Sequence, residues 1–325
     1  MSFLLLHFFD NCHLAFCRTS AALLTAFLQI PAFICSCTPV QDMRPRINRG
    51  DYIDVFFFDT IQPQLLDSYQ RLTAGEQLYA MSSVGAKRVV ALAANNTDSL
   101  MWADIRTYGD LCKYSFSLKE DSPDNPLLAG EQILPDGVSR VAQLQMNTCL
   151  ARVVLSSVAC DFSQTPYTGQ GFRNTSIYMQ YAGVEARPFG PGAEYPVSYI
   201  NQGWLDSLAV MNFPNQEMLL QKGVGNIWRE RVQVGKEFWC YGNDVEEASV
   251  GRPVTRIVLE GYVGENLCYY PVELPRLQAG QTIRLDLTLL RMGSTDPDIP
   301  VNSATVKVET QTVPWVDAEQ TVVVF

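Results

Sequence analysis

The stretch Thr282-Ile283-Arg284-Leu285-Asp286-Leu287-Thr288-Leu289 alternates polar and apolar side chains along its whole length. Successive side chains of a β-strand point to opposite faces, so this pattern predicts a strand with one buried and one solvated face. Val306 and Val308 alternate with Lys307 and Glu309 in the same way. A strand with one apolar face needs a second layer to cover it, which favours a fold in which sheets pack on sheets.

Most of the remaining sequence also predicts short strands separated by turns. Runs rich in β-branched or aromatic residues lie at 52–58, 87–94, 150–158, 175–181 and 255–263. Clusters containing glycine or proline at 121–126, 190–192 and 293–298 are typical of turns. Only residues 100–111 have a helical pattern, with Asp98 or Ser99 as the N-cap. The sequence therefore predicts an all-β protein made of β-sandwiches with Greek-key connections.

The length of the chain bounds the number of domains. The 325 residues are many for one hydrophobic core and fit two domains. A polar stretch at 137–148 runs into the strong strand pattern at 150–158, so we place the junction near residue 145. The predicted domains are 52–145 and 146–325.

An apolar run near the N-terminus ends in the motif Ile34-Cys35-Ser36-Cys37. The run at 21–33 has the length of a signal-peptide core and is too short to span a membrane. A small residue followed by cysteine after such a run looks like a lipobox, the signal by which bacteria acylate a cysteine. We therefore expect a signal peptide at 1–36 and a lipid on Cys37. The alternatives are a buried N-terminal helix or a signal cut by ordinary signal peptidase.

Removal of the predicted signal peptide would also remove both histidines, His7 and His13. No catalytic pair that uses histidine and no histidine-containing zinc site can then form. The five cysteines that remain besides Cys37 have no CxxC spacing: Cys112, Cys149, Cys160, Cys240 and Cys268. We expect mostly buried free thiols, and one disulfide between Cys160 and Cys240 or Cys268 stays open. We expect no metal, no cofactor and no enzymatic activity.

The charge distribution argues against nucleic acid as a partner. The formal net charge is −10, and the only cluster of basic residues is Arg44, Arg46 and Arg49. Nucleic-acid binding requires a basic surface that neutralises phosphates. These arginines lie in residues 37–51, which also hold two prolines and show no apolar alternation, as is typical of a flexible leash.

The C-terminal half resembles the fimbrillin family, the subunits of lipoprotein-derived pili of anaerobic Gram-negative bacteria. Five segments carry the resemblance. They are Thr255-Arg256-Ile257-Val258-Leu259-Glu260-Gly261, Cys268-Tyr269-Tyr270-Pro271-Val272-Glu273-Leu274-Pro275, residues 283–290, Arg291-Met292-Gly293-Ser294-Thr295-Asp296-Pro297-Asp298-Ile299-Pro300, and Pro314-Trp315. Residues 150–155, 55–59 and 66–70 also fit the pattern. The resemblance implies two tandem transthyretin-like β-sandwich domains in an outer-membrane, surface-exposed lipoprotein. Its expected partners are other pilus subunits, the outer membrane through the lipid, and a host or bacterial surface ligand.

The resemblance also implies a mode of assembly. In the family, an arginine-specific protease removes an N-terminal strand, and the C-terminal strand of the next subunit fills the groove. The corresponding residues here are Arg44, Arg46 and Arg49 for cleavage, and Val322, Val323, Val324 and Phe325 for strand donation. Residues 38–50 depart from the pattern, because Pro39 and Pro45 interrupt any strand that cleavage would release. This departure favours an anchor or accessory subunit over a polymerising stalk subunit.

Two questions stay open at the level of sequence. The terminal strand has apolar residues on both faces and suits insertion into its own domain or into that of a neighbour. A surface lipoprotein that binds glycans would also be a tethered tandem sandwich with exposed aromatic residues, and is the alternative function.

Overall fold

The computed structural model describes residues 52–73, 83, 85–95, 97–135, 143–200, 216–222, 225–314 and 321–324, the last of these as backbone only. The strands are β1 Tyr52–Asp59, β2 Leu66–Thr73, β3 Lys87–Ala93, β4 Phe116–Ser117, β5 Leu128–Leu134, β6 Gln143–Thr148, β7 Leu150–Cys160, β8 Phe172–Gln180, β9 Ala182–Ala186, β10 Ser198–Ile200, β11 Leu220–Lys222, β12 Val232–Tyr241, β13 Arg256–Val263, β14 Asn266–Glu273, β15 Gln281–Leu289, β16 Val306–Pro314 and β17 Thr321–Val324. One α-helix, α1 Tyr108–Leu111, and 3₁₀ turns at Ser99–Trp102, Leu118–Glu120 and Gln216–Met218 complete the described elements.

These strands form three sheets. A six-stranded sheet has the order β17-β6-β5-β3-β1-β2, and a four-stranded sheet has the order β11-β8-β13-β14. The third sheet has the order β10-β9-β12-β7-β15-β16, with β4 paired to β9. Neighbouring strands are antiparallel except β15 and β7, which run parallel. The all-β sandwich predicted from the sequence is confirmed.

The alternation that predicted β15 corresponds to two different environments. Ile283, Leu285, Leu287 and Leu289 are completely buried, while Arg284 on the opposite face is exposed. Their buried cluster also contains Ile257, Leu259 and Tyr270 of the four-stranded sheet. The third sheet and the four-stranded sheet therefore share one apolar layer, as in a sandwich.

Strand β1 is buried on both faces rather than one. Phe56 and Phe58 pack on one side, where the Trp102 ring meets Phe56 edge-on with centroids 5.5 Å apart. Val55 and Phe57 pack on the other side in a separate cluster. A strand covered on both faces needs no polar alternation, which accounts for the unbroken apolar run at 55–58.

The predicted helix at 100–111 is wrong as a single element. The chain forms a 3₁₀ turn capped by Asp98, then extended backbone, then α1. Thr107 has extended dihedral angles and begins α1 through a capping box with Asp110. A capped start at Thr107 interrupts the helical path. Trp102 and Ile105 are nevertheless both buried in the core. The side chains of these two residues produced the helical pattern.

The chain crosses from the six-stranded sheet to the third sheet at Cys149, between β6 and β7. Residue 145, where the sequence places the junction, lies within β6.

All five cysteines of the described residues are free thiols, so Cys160 forms no disulfide with Cys240 or Cys268. Burial raises the pKa of Cys160 and of Cys240 to about 12, which keeps both protonated.

Candidate strand-pairing site

The last strand of the chain pairs with the first domain. After β16 in the third sheet, β17 lies antiparallel to β6 at the end of the six-stranded sheet. The ladder aligns Thr321 with Met146, Val322 with Gln145, Val323 with Leu144 and Val324 with Gln143. The C-terminal segment therefore completes a sheet whose other strands lie far earlier in the sequence.

Strand β6 has one buried and one exposed face. Leu144 and Met146 are buried, and Gln145 and Asn147 between them are exposed. The two buried side chains belong to the cluster that contains Val55, Phe57, Val89, Ala91 and Leu128. β6 thus covers the second apolar face of the six-stranded sheet, and β17 lies along the edge of β6.

Close approach between β6 and β5 depends on Gly130. A Cβ atom added at this position would lie 2.3 Å from the Gln145 carbonyl oxygen and 3.2 Å from the Met146 Cα. Both contacts are with backbone, which cannot rotate away, so only glycine fits here. The regular ladder between the two strands covers only Leu128 with Thr148 and Ala129 with Asn147. β6 therefore crosses over β5 and leaves its other edge to β17.

Strand β16 is the last strand of the third sheet and pairs with β15 along its whole length. Val306 is buried, but residues 307–312 are exposed on both faces of the strand. Among the described residues, β16 pairs only with β15. Lys307 Nζ lies 2.6 Å from Glu309 Oε1 on the exposed surface. β16 is thus an exposed edge strand that precedes β17 in the chain.

A buried carboxyl group lies where β6 ends. The Cys149 amide donates to the Leu127 carbonyl at 2.9 Å, and the Leu127 amide donates to Asp121 Oδ1 at 2.9 Å. Burial raises the pKa of Asp121 to about 7, although the amides of Leu127 and Ser122 and the neighbouring Tyr241 hydroxyl lower it. Burial and the Asp121 charge likewise raise the pKa of Cys149. The junction between the sheets therefore contains an acid that titrates near neutral pH.

Strands β3, β1 and β2 of the six-stranded sheet share a cluster of ion pairs around one buried lysine. The Lys87 ammonium is almost completely buried and lies 2.6 Å from Asp59 Oδ1 and 3.2 Å from Asp67 Oδ2. Its hydrogen bonds to these carboxylates raise the pKa of Lys87 against the opposing effect of burial, which is the largest single contribution. Two carboxylates satisfy one buried cation, as burial of a charge requires.

The sequence-predicted site residues fall into two groups. Cys37, Arg44, Arg46, Arg49 and Phe325 lie outside the described residues. Val322, Val323 and Val324 form most of β17.

Sequence reasoning missed the strand that receives β17. Residues 143–148 counted as part of a polar stretch, although Leu144, Met146 and Thr148 alternate with Gln145 and Asn147. This alternation with a period of two was the available signal of a strand. Its polar residues, Gln145 and Asn147, carry uncharged amide side chains. Where the structure is described, no group of three or more histidine, cysteine, aspartate or glutamate side chains is placed to hold a metal ion.

No protein-family model matches the sequence, and no curated protein matches it. Crystal structures do match the fold. A candidate cell adhesion protein from Parabacteroides distasonis aligns with a TM-score of 0.59 and 13% identity over 81% of this chain and 88% of that one. A candidate cell adhesion protein from Bacteroides eggerthii has a TM-score of 0.54 and 18% identity, over 81% and 89% of the two chains. The fimbrilin FimA from Porphyromonas gingivalis has a TM-score of 0.52 and 13% identity, over 83% and 92%.

These alignments include most of both chains, so the likeness extends over both halves of the protein. None of the described helices is long and apolar enough to cross a membrane. The fold implied by the sequence resemblance is confirmed: this chain has the fold of the fimbrilin and of the cell adhesion structures.

Proposed function

We propose that this protein is a structural, non-enzymatic subunit of a bacterial surface pilus and belongs to the fimbrillin superfamily. The observation that carries the proposal is that its fold matches a fimbrilin over most of both chains. The residue patterns at 255–261, 268–275 and 291–300 support it independently. The expected partners are other pilus subunits, and adhesion would be to a host or bacterial surface.

The proposed means of assembly is donation of the terminal strand, Val322 to Phe325, to another subunit. The ladder of β17 on β6 supports this, because it provides an edge that accepts a strand of this sequence. Strand addition of this kind gains affinity from main-chain hydrogen bonds and specificity from alternate side chains. The exposure of β16 also supports it, because among the described residues this strand is paired on one edge only and is exposed on both faces over residues 307–312.

The proposed tether is a lipid on Cys37, which would hold the protein at the outer membrane. Each buried CH₂ contributes about 0.8 kcal/mol, so one acyl chain is marginal and two or three suffice. Retention of the lipid fits an anchor or accessory subunit, with Arg44, Arg46 and Arg49 as sites at which cleavage would release the body. Cys37→Ala should abolish incorporation of labelled fatty acid and remove the protein from the membrane fraction. Continued labelling would contradict acylation at Cys37.

The assembly proposal is tested by affinity purification of the full-length tagged chain from cells that make pili. We expect pilus subunits to co-purify, and we expect deletion of 321–325 to remove them. A charge-neutral substitution on the exposed face of β16, Gln311→Ser, is the matched control and should retain them. A glycan array probed with the intact protein tests the alternative function, glycan binding. Specific glycan binding with no co-purified subunit would favour the glycan-binding lipoprotein.

A further inference from the structure

We propose that the outer face of the four-stranded sheet carries a binding platform for neutral oligosaccharides, formed by Trp228, Tyr262 and Leu267 around Arg173. The first three residues are 50%, 38% and 37% exposed, and the Arg173 side chain is 39% exposed. The inference rests on the proposed function, because it gives the chemical class of the surface ligand to which such a subunit would adhere. It concerns side chains on a sheet face, whereas strand donation uses backbone groups at a sheet edge.

The register of the sheet brings three of these side chains together. Phe172, at the start of β8, is completely buried, and its ring meets Tyr270 edge-on, so it points into the sandwich. Successive side chains of a strand alternate between faces, so Arg173 points outward. Tyr262 on β13 aligns with Arg173 on one side and with Leu267 on β14 on the other. The three side chains therefore form a row across three neighbouring strands.

Trp228 extends this row beyond the edge of β8. The backbone of Ile227 pairs with that of Phe172 through two hydrogen bonds of 2.7 and 2.8 Å, which brings the next residue beside Gly171. A Cβ atom added to Gly171 would lie 2.7 Å from Trp228 Cε3 and 3.0 Å from Trp228 Cδ2, so the indole ring lies directly on the glycine. Glycine in a strand permits such a close approach. Half of the Trp228 side chain stays exposed, which leaves a ring face available for stacking.

The exposure of the platform contrasts with the rest of the same sheet face. Val258, Tyr178 and Gln180 point outward further along β13 and β8, yet each is at most 2% exposed. The outer face is thus covered at one end and open at the other, where it presents aromatic and apolar side chains. Contiguous exposed apolar surface with a polar rim is typical of an interaction site.

The size of the platform favours a small ligand over a protein. A large aromatic side chain has about 150–250 Å² of surface, so the exposed fractions of the four side chains amount to a few hundred Å². A standard protein interface covers about 800 Å² on each partner. The electron-rich faces of Trp228 and Tyr262 attract the C–H groups on the face of a sugar ring. Strands lie about 4.8 Å apart, so the two aromatic residues are at least roughly 10 Å apart and suit an oligosaccharide rather than one sugar.

The polar rim supplies hydrogen bonds and sets the charge of the ligand. Arg173 Nη2 lies 3.6 Å from the fully exposed carboxylate of Glu265. Glu260 and Tyr269 are aligned with each other two positions further along the same face. Burial raises the pKa of Tyr269, and the nearby Glu260 and Asp296 carboxylates raise it further. Carboxylates thus dominate the charge at the β14 end of the platform, which favours neutral chains and repels sulfated or sialylated ones.

Titration of the intact protein with neutral oligosaccharides tests the inference. The probes are gluco-, manno- and galacto-oligosaccharides, followed by calorimetry and by tryptophan fluorescence. We expect at least one series to bind, and its tetrasaccharide to bind more tightly than its disaccharide, because only the longer chain reaches both aromatic rings. Heparin oligosaccharides and sialyllactose are the acidic probes and should not bind.

Substitutions of Trp228 separate stacking from general apolar contact. Trp228→Ala should weaken the binding by about tenfold or more, since it removes an anchoring ring. Trp228→Leu should weaken it equally, because leucine is apolar but has no aromatic face, whereas Trp228→Phe should retain most of it. Tyr52→Ala is the matched control and should bind as wild type does, because it removes an exposed ring from the first domain.

Three results would overturn the inference. The first is that no neutral series binds, and the second is that Trp228→Ala binds as tightly as wild type. The third is that Trp228→Ala, with an unchanged unfolding temperature, no longer co-purifies pilus subunits, because the platform would then be a protein interface. The proposed function is judged separately, since failure of the wild type to co-purify any subunit contradicts it whatever the titration gives.

Discussion

The Arg71 guanidinium holds the buried Asp54 carboxylate through two parallel hydrogen bonds, from Nε to Oδ1 at 2.7 Å and from Nη2 to Oδ2 at 2.8 Å. The two residues are directly opposed on β1 and β2. The Tyr69 hydroxyl donates to the same carboxylate at 2.6 Å. This geometry gives the strongest kind of side-chain ion pair, because the planar fork of arginine matches the carboxylate.

Replacement of Arg71 by alanine should lower the free energy of unfolding by about 3–5 kcal/mol, because Asp54 would remain buried without its cation. Arg71→Lys should cost less but should not be neutral, since an ammonium group cannot form both parallel bonds. Urea denaturation of the two variants and wild type checks the order. A loss below about 1 kcal/mol for Arg71→Ala would show that water reaches Asp54.

The two faces of β15 should respond differently to a new carboxylate. Leu285→Asp or Leu287→Asp places a charge in a completely buried layer and should cost several kcal/mol. Thr288→Asp should change stability by less than about 0.5 kcal/mol, since its face is partly solvated. The Arg231 Nη2 group, 2.8 Å from Thr288 Oγ1, would also meet the new charge. Equal damage at 287 and 288 would contradict a half-solvated strand.

The junction acid should make stability fall as the pH rises. The folded pKa of Asp121 is raised to about 7 from its usual 3.8, so the folded state binds the proton more tightly than the unfolded state. Its stabilising contribution is complete below about pH 4, decreases by at most about 1.4 kcal/mol per pH unit, and is lost above pH 7. Asp121→Asn should remove this slope, because an amide side chain does not titrate. Its oxygen can still accept from the Leu127 amide, so the hydrogen bond is retained.

Denaturation of wild type and Asp121→Asn between pH 4 and pH 8 measures the difference. The other titratable groups that interact with this carboxyl are Tyr241 and Cys149. Burial raises the pKa of Tyr241 and of Cys149, so neither ionises in this interval. Parallel profiles for the two proteins would mean that Asp121 is ionised in the folded state throughout.

The crossing of β6 over β5 should not tolerate a side chain. Gly130→Ala would force the backbone at Gln145 to move, at a cost of about 1–3 kcal/mol. Gly109→Ala in α1 is the matched control, because its nearest atom would be 3.6 Å away and alanine favours a helix. The control should be neutral or slightly stabilising in thermal unfolding. Equal behaviour of the two variants would contradict the close approach.

Local sequence patterns predicted some elements of this fold and not others. The positions of β1, β3, β7, β13 and β15 followed from local patterns, within a few residues at each end. Residues 100–111 did not, because burial of Trp102 and Ile105 produced a helical pattern while the cap at Thr107 interrupted the helix. A pattern records which side chains are buried, and more than one backbone path can bury them.

The candidate site illustrates the same limit more strongly. The sequence marked Val322 to Phe325 as a strand with two apolar faces, but it left the recipient open and passed over β6. The pairing of 321–324 with 143–146 joins residues that are distant along the chain, and local periodicity contains no information about such partners. Only the packing of the first sheet, with Leu144 and Met146 over Val55 and Val89, determines where an edge remains for the last strand.

The sequence by itself determined that the protein is all-β, that β15 has one apolar face, and that both histidines lie within the first 13 residues. These properties depend on composition and on side-chain period, which are local quantities. The tertiary structure alone decided that β1 is covered on both faces, that the thiols of Cys160 and Cys240 stay apart as free groups, and that β17 returns to the first sheet. Each of these depends on which distant surfaces meet, because burial and strand pairing are satisfied only when a second element supplies the missing face or edge.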